Sequence, residues 1–106
     1  MTTDTEPTVH DVAESSRFEI HVDGRLAGFA QYRLTDPGLI VFIHTEIDDA
    51  FEGRGLGSIL IRAALDAARG RGLAVRPDCP FVRGYIARHP EYLDLVPADL
   101  RARLGL

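Results

Sequence analysis

Phe51-Glu52-Gly53-Arg54-Gly55-Leu56-Gly57-Ser58, followed at once by Ile59-Leu60-Ile61-Arg62-Ala63-Ala64-Leu65-Asp66-Ala67-Ala68, is a glycine-rich loop running into a helix-like segment. Three glycines at alternate positions let the backbone turn tightly and bring its N–H groups close to a bound group. The helix behind them aims its unpaired N-terminal amides and the positive end of its dipole into the same space. Together they read as an anion cradle with a phosphate or diphosphate as its natural occupant. Arg54, between two of the glycines, adds a permanent cation with a planar fork of donors.

Spacing decides which kind of cradle this is. A P-loop needs Gly-Lys-Ser/Thr after four intervening residues, and the chain contains no lysine at all. A dinucleotide fingerprint needs Gly-x-Gly-x-x-Gly, whereas Ser58-Ile59-Leu60 stands where its last glycine belongs. Both readings are set aside. A glycine turn that merely redirects the chain is the plain alternative and stays open.

The 106 residues are 45% hydrophobic and 26% charged, the composition of one ordinary globular domain with a modest core. No apolar run is long enough to span a bilayer. The opening residues Met1-Thr2-Thr3-Asp4-Thr5-Glu6-Pro7 lack the basic and apolar regions of a signal peptide, so a cytoplasmic protein without a membrane partner is expected. The single cysteine, Cys79, agrees with a reducing compartment. Net charge is −4, and the 12 basic residues are arginines scattered along the chain. Nucleic acid is therefore an unsuitable partner, and no metal site is expected.

Residues 1–16 are polar and aperiodic and read as a flexible tail, with a single domain over residues 17–106. Phe18-Glu19-Ile20-His21-Val22 alternates apolar and polar, Asp23-Gly24 is a hairpin turn, and Leu26 to Tyr32 resumes a strand. Thr35-Asp36-Pro37-Gly38 makes a second turn, before an apolar third strand from Leu39 to Ile47. The helix after the loop runs from about Leu56 to Arg69, with Leu60, Ala64, Ala67 and Ala68 as its sheet-facing stripe, and Gly70 and Gly72 close it. Leu73 to Arg76 forms a further strand, Pro80 to about His89 a second helix, and Pro97 to Leu104 a last short one. This order predicts an α/β (α+β) sandwich whose mixed, mostly antiparallel sheet turns parallel around the main helix, with helices packed on its faces.

A run of antiparallel strands, a strand leading into an Arg-Gly-x-Gly loop and helix, then a strand and second helix resembles the GNAT-type N-acetyltransferases. The acyl-CoA signature of that superfamily, Gln/Arg-x-x-Gly-x-Gly/Ala, falls on Glu52, Gly55 and Gly57: both glycines match, and Glu52 departs. His44-Thr45-Glu46-Ile47, Phe51 to Ser58, Cys79-Pro80-Phe81-Val82, Tyr85-Ile86 and His89-Pro90-Glu91-Tyr92 are similar to the minimal single-domain branch, which lacks the early helices that commonly shape the acceptor pocket. The resemblance implies acetyl-CoA binding and acetyl transfer to an amine, and leaves that amine open.

It also distributes roles. The backbone of Arg54, Gly55, Leu56, Gly57 and Ser58 would hold the diphosphate, while Ile43 and Thr45, in the strand beside the pantetheine arm, would pair with that arm. A lysine-like amine is mostly protonated at neutral pH, so a base helps. His44 and Glu46 are candidates and share a face by the strand period of two. A sheet-bonded histidine and a solvated glutamate are the bland alternatives.

Cys79, just before the first residue of a helix, sits where amides and dipole favour a thiolate, which admits a covalent acetyl-cysteine route. An inert buried cysteine is the competing reading. Tyr85 resembles the superfamily tyrosine that protonates the leaving thiolate, and core packing is its alternative. Arg83 and Arg88 would form salt bridges or meet the adenosine 3′-phosphate, or simply be solvated. Two other functions compete with the enzyme: a non-catalytic acyl-CoA-binding module, and a partner-binding α/β domain without cofactor.

Overall fold

Two residues with left-handed backbone, Asp23 (φ 56°) and Gly24 (φ 78°), close a two-residue turn in the computed structural model, which describes residues 6–35 and 37–106. Both central φ values are positive, as a two-residue hairpin turn matched to the strand twist requires. The turn joins β2 (Arg17–Val22) to β3 (Arg25–Thr35), and β4 (Leu39–Ile47) follows antiparallel to β3. Asp36, within the second expected turn, lies outside the described residues.

Helix α1 (Leu56–Gly70) then carries the chain over the sheet to β5 (Ala74–Pro77), which runs parallel to β4. The α1 helix ends as glycine ends dictate: Gly72 takes φ 68°, and Leu73 N–H reaches back to the Ala68 carbonyl at 2.9 Å. Helix α2 (Pro80–Arg88), a 3₁₀ segment over Pro90–Leu95 and α3 (Ala98–Leu104) complete the described chain.

The expected tail is corrected. Thr8–Val12 forms a fifth strand, β1, paired antiparallel with β2 from Thr8 opposite His21 to Val12 opposite Arg17. Two anchors hold this polar segment: Val9 packs against the core, and Asp11 accepts a hydrogen bond from the Tyr32 hydroxyl while pairing with Arg71. The part of the tail expectation that covers residues 1–5 lies outside the described residues. Sheet order is β1-β2-β3-β4-β5.

One face of the sheet carries the core. Phe18, Ile20, Ala30, Tyr32, Ile40, Phe42 and Val75 point from it toward Leu60, Ile61, Ala64, Leu65 and Ala68 of α1 and toward Val82 and Ile86 of α2. Each fully buried Leu or Ile there contributes about 1.5–3 kcal/mol, far more than any single surface pair, so this stripe fixes α1 on the sheet. Burial, reinforced by the bond to Asp11, pushes the Tyr32 hydroxyl up to about 12.

The opposite face is open. Arg17, Glu19, His21 and Phe29 stand half-buried on it, and Gln31, His44 and Glu46 are exposed. There Glu19 accepts bonds from His21 and Arg17, which hold its carboxyl below the usual carboxylate range.

Candidate functional site

Strand β4 changes character at a bulge. Gln31 lies opposite His44 and Tyr32 opposite Phe42, so Ile43 is an extra residue without a partner in β3. Before the bulge, β4 is covered on both edges: Leu39 to Phe42 pair with Ala74 to Pro77 of β5. The Cys79 N–H then takes the Phe42 carbonyl at 2.9 Å, and the chain turns away into α2. Beyond Phe42, β4 has β3 on one side only.

Which backbone groups face the open side follows from alternation. Asp48 N–H donates to the Ala27 carbonyl of β3 at 2.8 Å, and a Cβ built on Gly28 would fall 2.5 Å from the Glu46 carbonyl oxygen. Residues 46 and 48 therefore direct their backbone groups at β3, and those of Thr45 and Ile47 point outward along the free edge. Gly28 is itself needed here, since any larger residue would meet both that carbonyl and the Ile47 side chain.

The free edge borders a cleft of about 570 Å³. Thr45 and Ile47 form one wall and the loop from Phe51 to Ser58 another, without Arg54. Phe81 and Arg88 of α2 close the third side. Gly53 (φ 82°) and Gly55 (φ 73°) hold the loop in the left-handed region, and Gly55 is the N-cap of α1. A glycine cap brings no side chain to the first-turn amides, and no acidic residue occupies that turn. The N-terminal donors of α1 are thus left to an outside acceptor. Gly57 is buried beneath the Phe81 ring, where an added Cβ would lie 2.6 Å from Cζ.

The residues singled out from sequence fall into separate places. Thr45, Gly55, Leu56, Gly57 and Ser58 line the cleft, while Ile43, 41% exposed, sits on the bulge and is not part of the lining. Arg54 is displaced from its expected place: its guanidinium lies over the Phe51 ring, 5.3 Å from the centroid, instead of facing the cleft. His44 and Glu46 do share a face, with Nε2 and Oε1 3.1 Å apart, on the open side of the sheet. Cys79 is buried on the other side at the N-cap of α2, with Sγ 3.4 Å from Thr45 Oγ1.

Tyr85 is buried and stacked on His89 at 3.9 Å, and burial raises its hydroxyl above the ordinary tyrosine value. It occupies the same face of α2 as cleft-lining Phe81 and Arg88, by the spacing of four and three residues. Arg83 is occupied elsewhere, donating to the Pro77 and Asp78 carbonyls where β5 turns into α2. Arg88, with no ion pair among the described residues, supplies the cleft's cation. Sequence alone left Arg88 undecided because its direction depends on how α2 leaves β5. Ile47 and Phe81 lie within stretches that carry the family resemblance, but nothing in the sequence assigned either of them a place in the site.

A five-stranded mixed sheet with an opened parallel pair and an uncapped helix start beside it defines an acyltransferase-like domain. Residues 17–95 match the GCN5-related N-acetyl-transferase family, and the chain belongs to that family.

Among curated proteins it is similar to Protein NATD1 of Xenopus tropicalis, 36% identical over 53 residues that cover 48% of this chain and 49% of that protein. It is also similar to Protein NATD1 of Homo sapiens, 31% identical over 65 residues that cover 59% of this chain and 58% of that one. The chain thus spans about half to three-fifths of the length of these relatives. Among solved structures, a GCN5-like putative N-acetyltransferase from Staphylococcus aureus superposes with a TM-score of 0.65 at 23% identity, covering 91% of each chain. A ribosomal-protein-alanine N-acetyltransferase from Brucella melitensis gives 0.50 at 24% identity over 77% of this chain and 61% of that one. These two neighbours establish the fold. Among the described residues, no helix is long and apolar enough to cross a membrane.

Proposed function

We propose that this domain binds acetyl-CoA in the cleft and transfers the acetyl group to an amine. The observation that carries the reading is the junction of the free β4 edge with the uncapped start of α1. The residues present suit the group. The amides of Leu56, Gly57 and Ser58, with the dipole of α1 behind them, and Arg88 across the cleft would hold the diphosphate. Outward N–H and C=O groups of Thr45 and Ile47 would pair with the amides of the pantetheine arm, as an added strand does. Glu52 at the rim is the one lining residue of the wrong sign.

Acetyl-CoA supplies, when bound, an acyl group activated as a thioester. The chain supplies position and proton handling. Because no strand covers β4 beyond Phe42, an amine reaches the edge from the open face while the donor lies on the helix side. His44 and Glu46 stand on that open face, where their hydrogen-bonded pair accepts the proton an ammonium must lose. Beside Glu46 a depression of about 160 Å³ between Leu26, Phe29 and Asp48 receives the amine's stem. Tyr85 keeps its proton through the neutral range, the state an acid needs. Buried Cys79, held beside cleft-lining Thr45, takes no part in this direct route. A cytoplasmic location fits this substrate pair.

A second reading has one observation in its favour. The His44 and Glu46 side chains are 55% and 63% exposed, more open than an enclosed acceptor site would leave them, as in a module that binds acyl-CoA without turnover. Thermal unfolding with and without acetyl-CoA tests the shared part. At a hundredfold its Kd, a ligand adds about 2.7 kcal/mol, which moves the midpoint of a domain this size by on the order of ten degrees. No shift contradicts both readings, whereas a shift without transfer to any primary amine selects the module. An intact mass of the same sample separates direct from covalent transfer. Only Cys79 carries a thiol, and a hydroxylamine-sensitive acetyl adduct on it would establish the acetyl-cysteine route.

A further inference from the structure

At the end of α2 a histidine side chain stands in for its own backbone amide. A continuing helix would send the His89 N–H to the Tyr85 carbonyl, four residues back. Pro90 prevents this by pushing the residue before it out of the helical region, and His89 takes φ −130° and ψ 77°. Its N–H bonds the Ile86 carbonyl instead, at 3.1 Å. The orphaned Tyr85 carbonyl accepts from His89 Nδ1, 2.9 Å away. That bond folds the half-buried imidazole back onto the Tyr85 ring, with centroids 3.9 Å apart and planes 16° from parallel. The Tyr92 ring also stands against Tyr85, at 6.0 Å, and its own hydroxyl is anchored to Asp66 of α1.

The tyrosine held in this way differs from the other two. The hydroxyls of Tyr32 and Tyr92 are spent on Asp11 and Asp66. The Tyr85 hydroxyl donates to no group among the described residues, although the residue is only 3% exposed. No buried side-chain oxygen or nitrogen among those residues lacks a partner, so the Tyr85 oxygen keeps contact with solvent. A buried ring whose polar end is left open suits a proton donor. It lies on the side of α2 that carries cleft-lining Phe81 and Arg88, with Arg62 and Asp66 of α1 and Glu91 of the 3₁₀ segment among the charges around it.

We propose that His89 is a positioning residue for acetyl transfer: its imidazole, fixed by the Tyr85 carbonyl and by Pro90, clamps the Tyr85 ring so that the open hydroxyl is held in place to protonate the departing thiolate. In that step the amine nitrogen bonds the acetyl carbon and the C–S bond breaks. Its electron pair stays on sulfur, which takes the hydroxyl proton, and the phenolate recovers a proton from solvent. The inference rests on the acetyl-transfer reading and adds to it a residue that touches neither substrate nor cofactor. A ring free to swing misplaces its hydroxyl by about an ångström, which costs on the order of a hundredfold in rate.

Three variants of the full chain separate the stack from the carbonyl bond. His89→Ala removes both, His89→Phe keeps a ring on Tyr85, and His89→Asn keeps a short donor without a ring. With His89→Ala, kcat for transfer to a panel of primary amines should fall on the order of tenfold to a hundredfold, with the KM and calorimetric affinity for acetyl-CoA unchanged. His89→Phe should recover most of the rate and His89→Asn little, a contrast that decides alone if His89→Ala fails to fold. A second readout needs no turnover: phenolate absorbance against pH, in a chain with 3 tyrosines. Burial raises the Tyr85 hydroxyl and the stack is part of that burial, so His89→Ala should bring one ionisation down toward the ordinary tyrosine value. Adding Tyr85→Phe should abolish that early phase.

A phenolate titration that His89→Ala leaves unmoved, or a rate equal to the parent's, overturns the role. Recovery by His89→Asn as full as by His89→Phe does so too, and assigns the histidine to the helix end alone. A parent that binds acetyl-CoA and transfers nothing removes the acid that His89 would serve while keeping the cofactor site. A parent that does not bind it overturns the acetyl-transfer reading and this role together.

Discussion

Along β4, the segment Leu39 to Phe42 and the segment Ile43 to Ile47 are one strand in two environments. The first is flanked by β3 and β5, and Ile40, Val41 and Phe42 are each no more than 2% exposed. The second has a bulge at its start, a free edge, and a sequence that alternates between a polar pair on the open face and cleft-lining Thr45 and Ile47 on the other. One segment holds the fold together, and the other leaves backbone groups and side chains available to ligands. The bulge lets a single strand do both, because it ends the pairing with β5 without ending the pairing with β3.

The largest test of this division is Phe42→Ala, which opens a cavity among Phe18, Ile40 and the α1 stripe. A loss of about 4 kcal/mol, or a midpoint lower by roughly 20 degrees, is expected from the cost of emptying an aromatic site. Thr45→Ala should move the midpoint far less. Comparable losses from the two would erase the distinction between the segments.

On the ligand side, Gly57→Glu places a carboxylate against the N-terminus of α1 and drives the Phe81 ring aside. Acetyl-CoA affinity should fall on the order of a hundredfold by calorimetry, about 2.7 kcal/mol. Gly57→Ala, which displaces the ring without adding charge, should cost only a few-fold. Unchanged affinity in the glutamate variant removes the loop from the site.

Alkaline pH probes the helix side of the sheet. Tyr92 donates to Asp66 of α1, and burial with that bond pushes its hydroxyl up to about 12, as happens to Tyr32. Their folded-state values are raised above the unfolded value near 10, so the stability they add is complete below pH 10. It declines as pH climbs from 10 through 12, by on the order of 2 kcal/mol per tyrosine. Tyr92→Phe should flatten the curve of midpoint against pH over that window. A variant that keeps the full slope would place the alkaline transition elsewhere.

Smallest in stability is Glu46→Gln, expected to stay within about 0.5 kcal/mol of the parent because the side chain is exposed on the open segment. Acetyl transfer should nevertheless slow by on the order of a hundredfold with cofactor affinity unchanged, the usual contribution of a positioned base. If a panel of primary amines is acetylated at the parent rate, Glu46 has no part in proton removal.

Much of this division was legible in the amino-acid sequence. The Asp23-Gly24 turn, the limits of β4, the loop and the start of α1 are set by local chemistry: positive-φ residues, apolar runs and a proline at the head of α2. Three features escaped because they depend on distant partners. As an edge strand with one face in solvent, β1 needs no continuous apolar alternation, so His10 and Asp11 disguised it. The Ile43 bulge is a register property of two strands. Arg54 turns to Phe51, and Arg25 meets the same ring from a hairpin far away in sequence, and neither orientation has a sequence period. On the α1 stripe, Leu60, Ala64 and Ala68 are buried as expected, while Ala67 sits at its margin and Ile61 and Leu65 carry more of the contact.

A titration of ¹⁵N-labelled protein with acetyl-CoA, followed by amide resonances, tests the central claim most directly. Saturable shifts should concentrate on Leu56, Gly57 and Ser58 at the start of α1 and on Thr45 and Ile47 along the free edge, with Ile40 to Phe42 little moved. Shifts that fail to saturate, or that are confined to residues away from both the loop and the free edge, would contradict it.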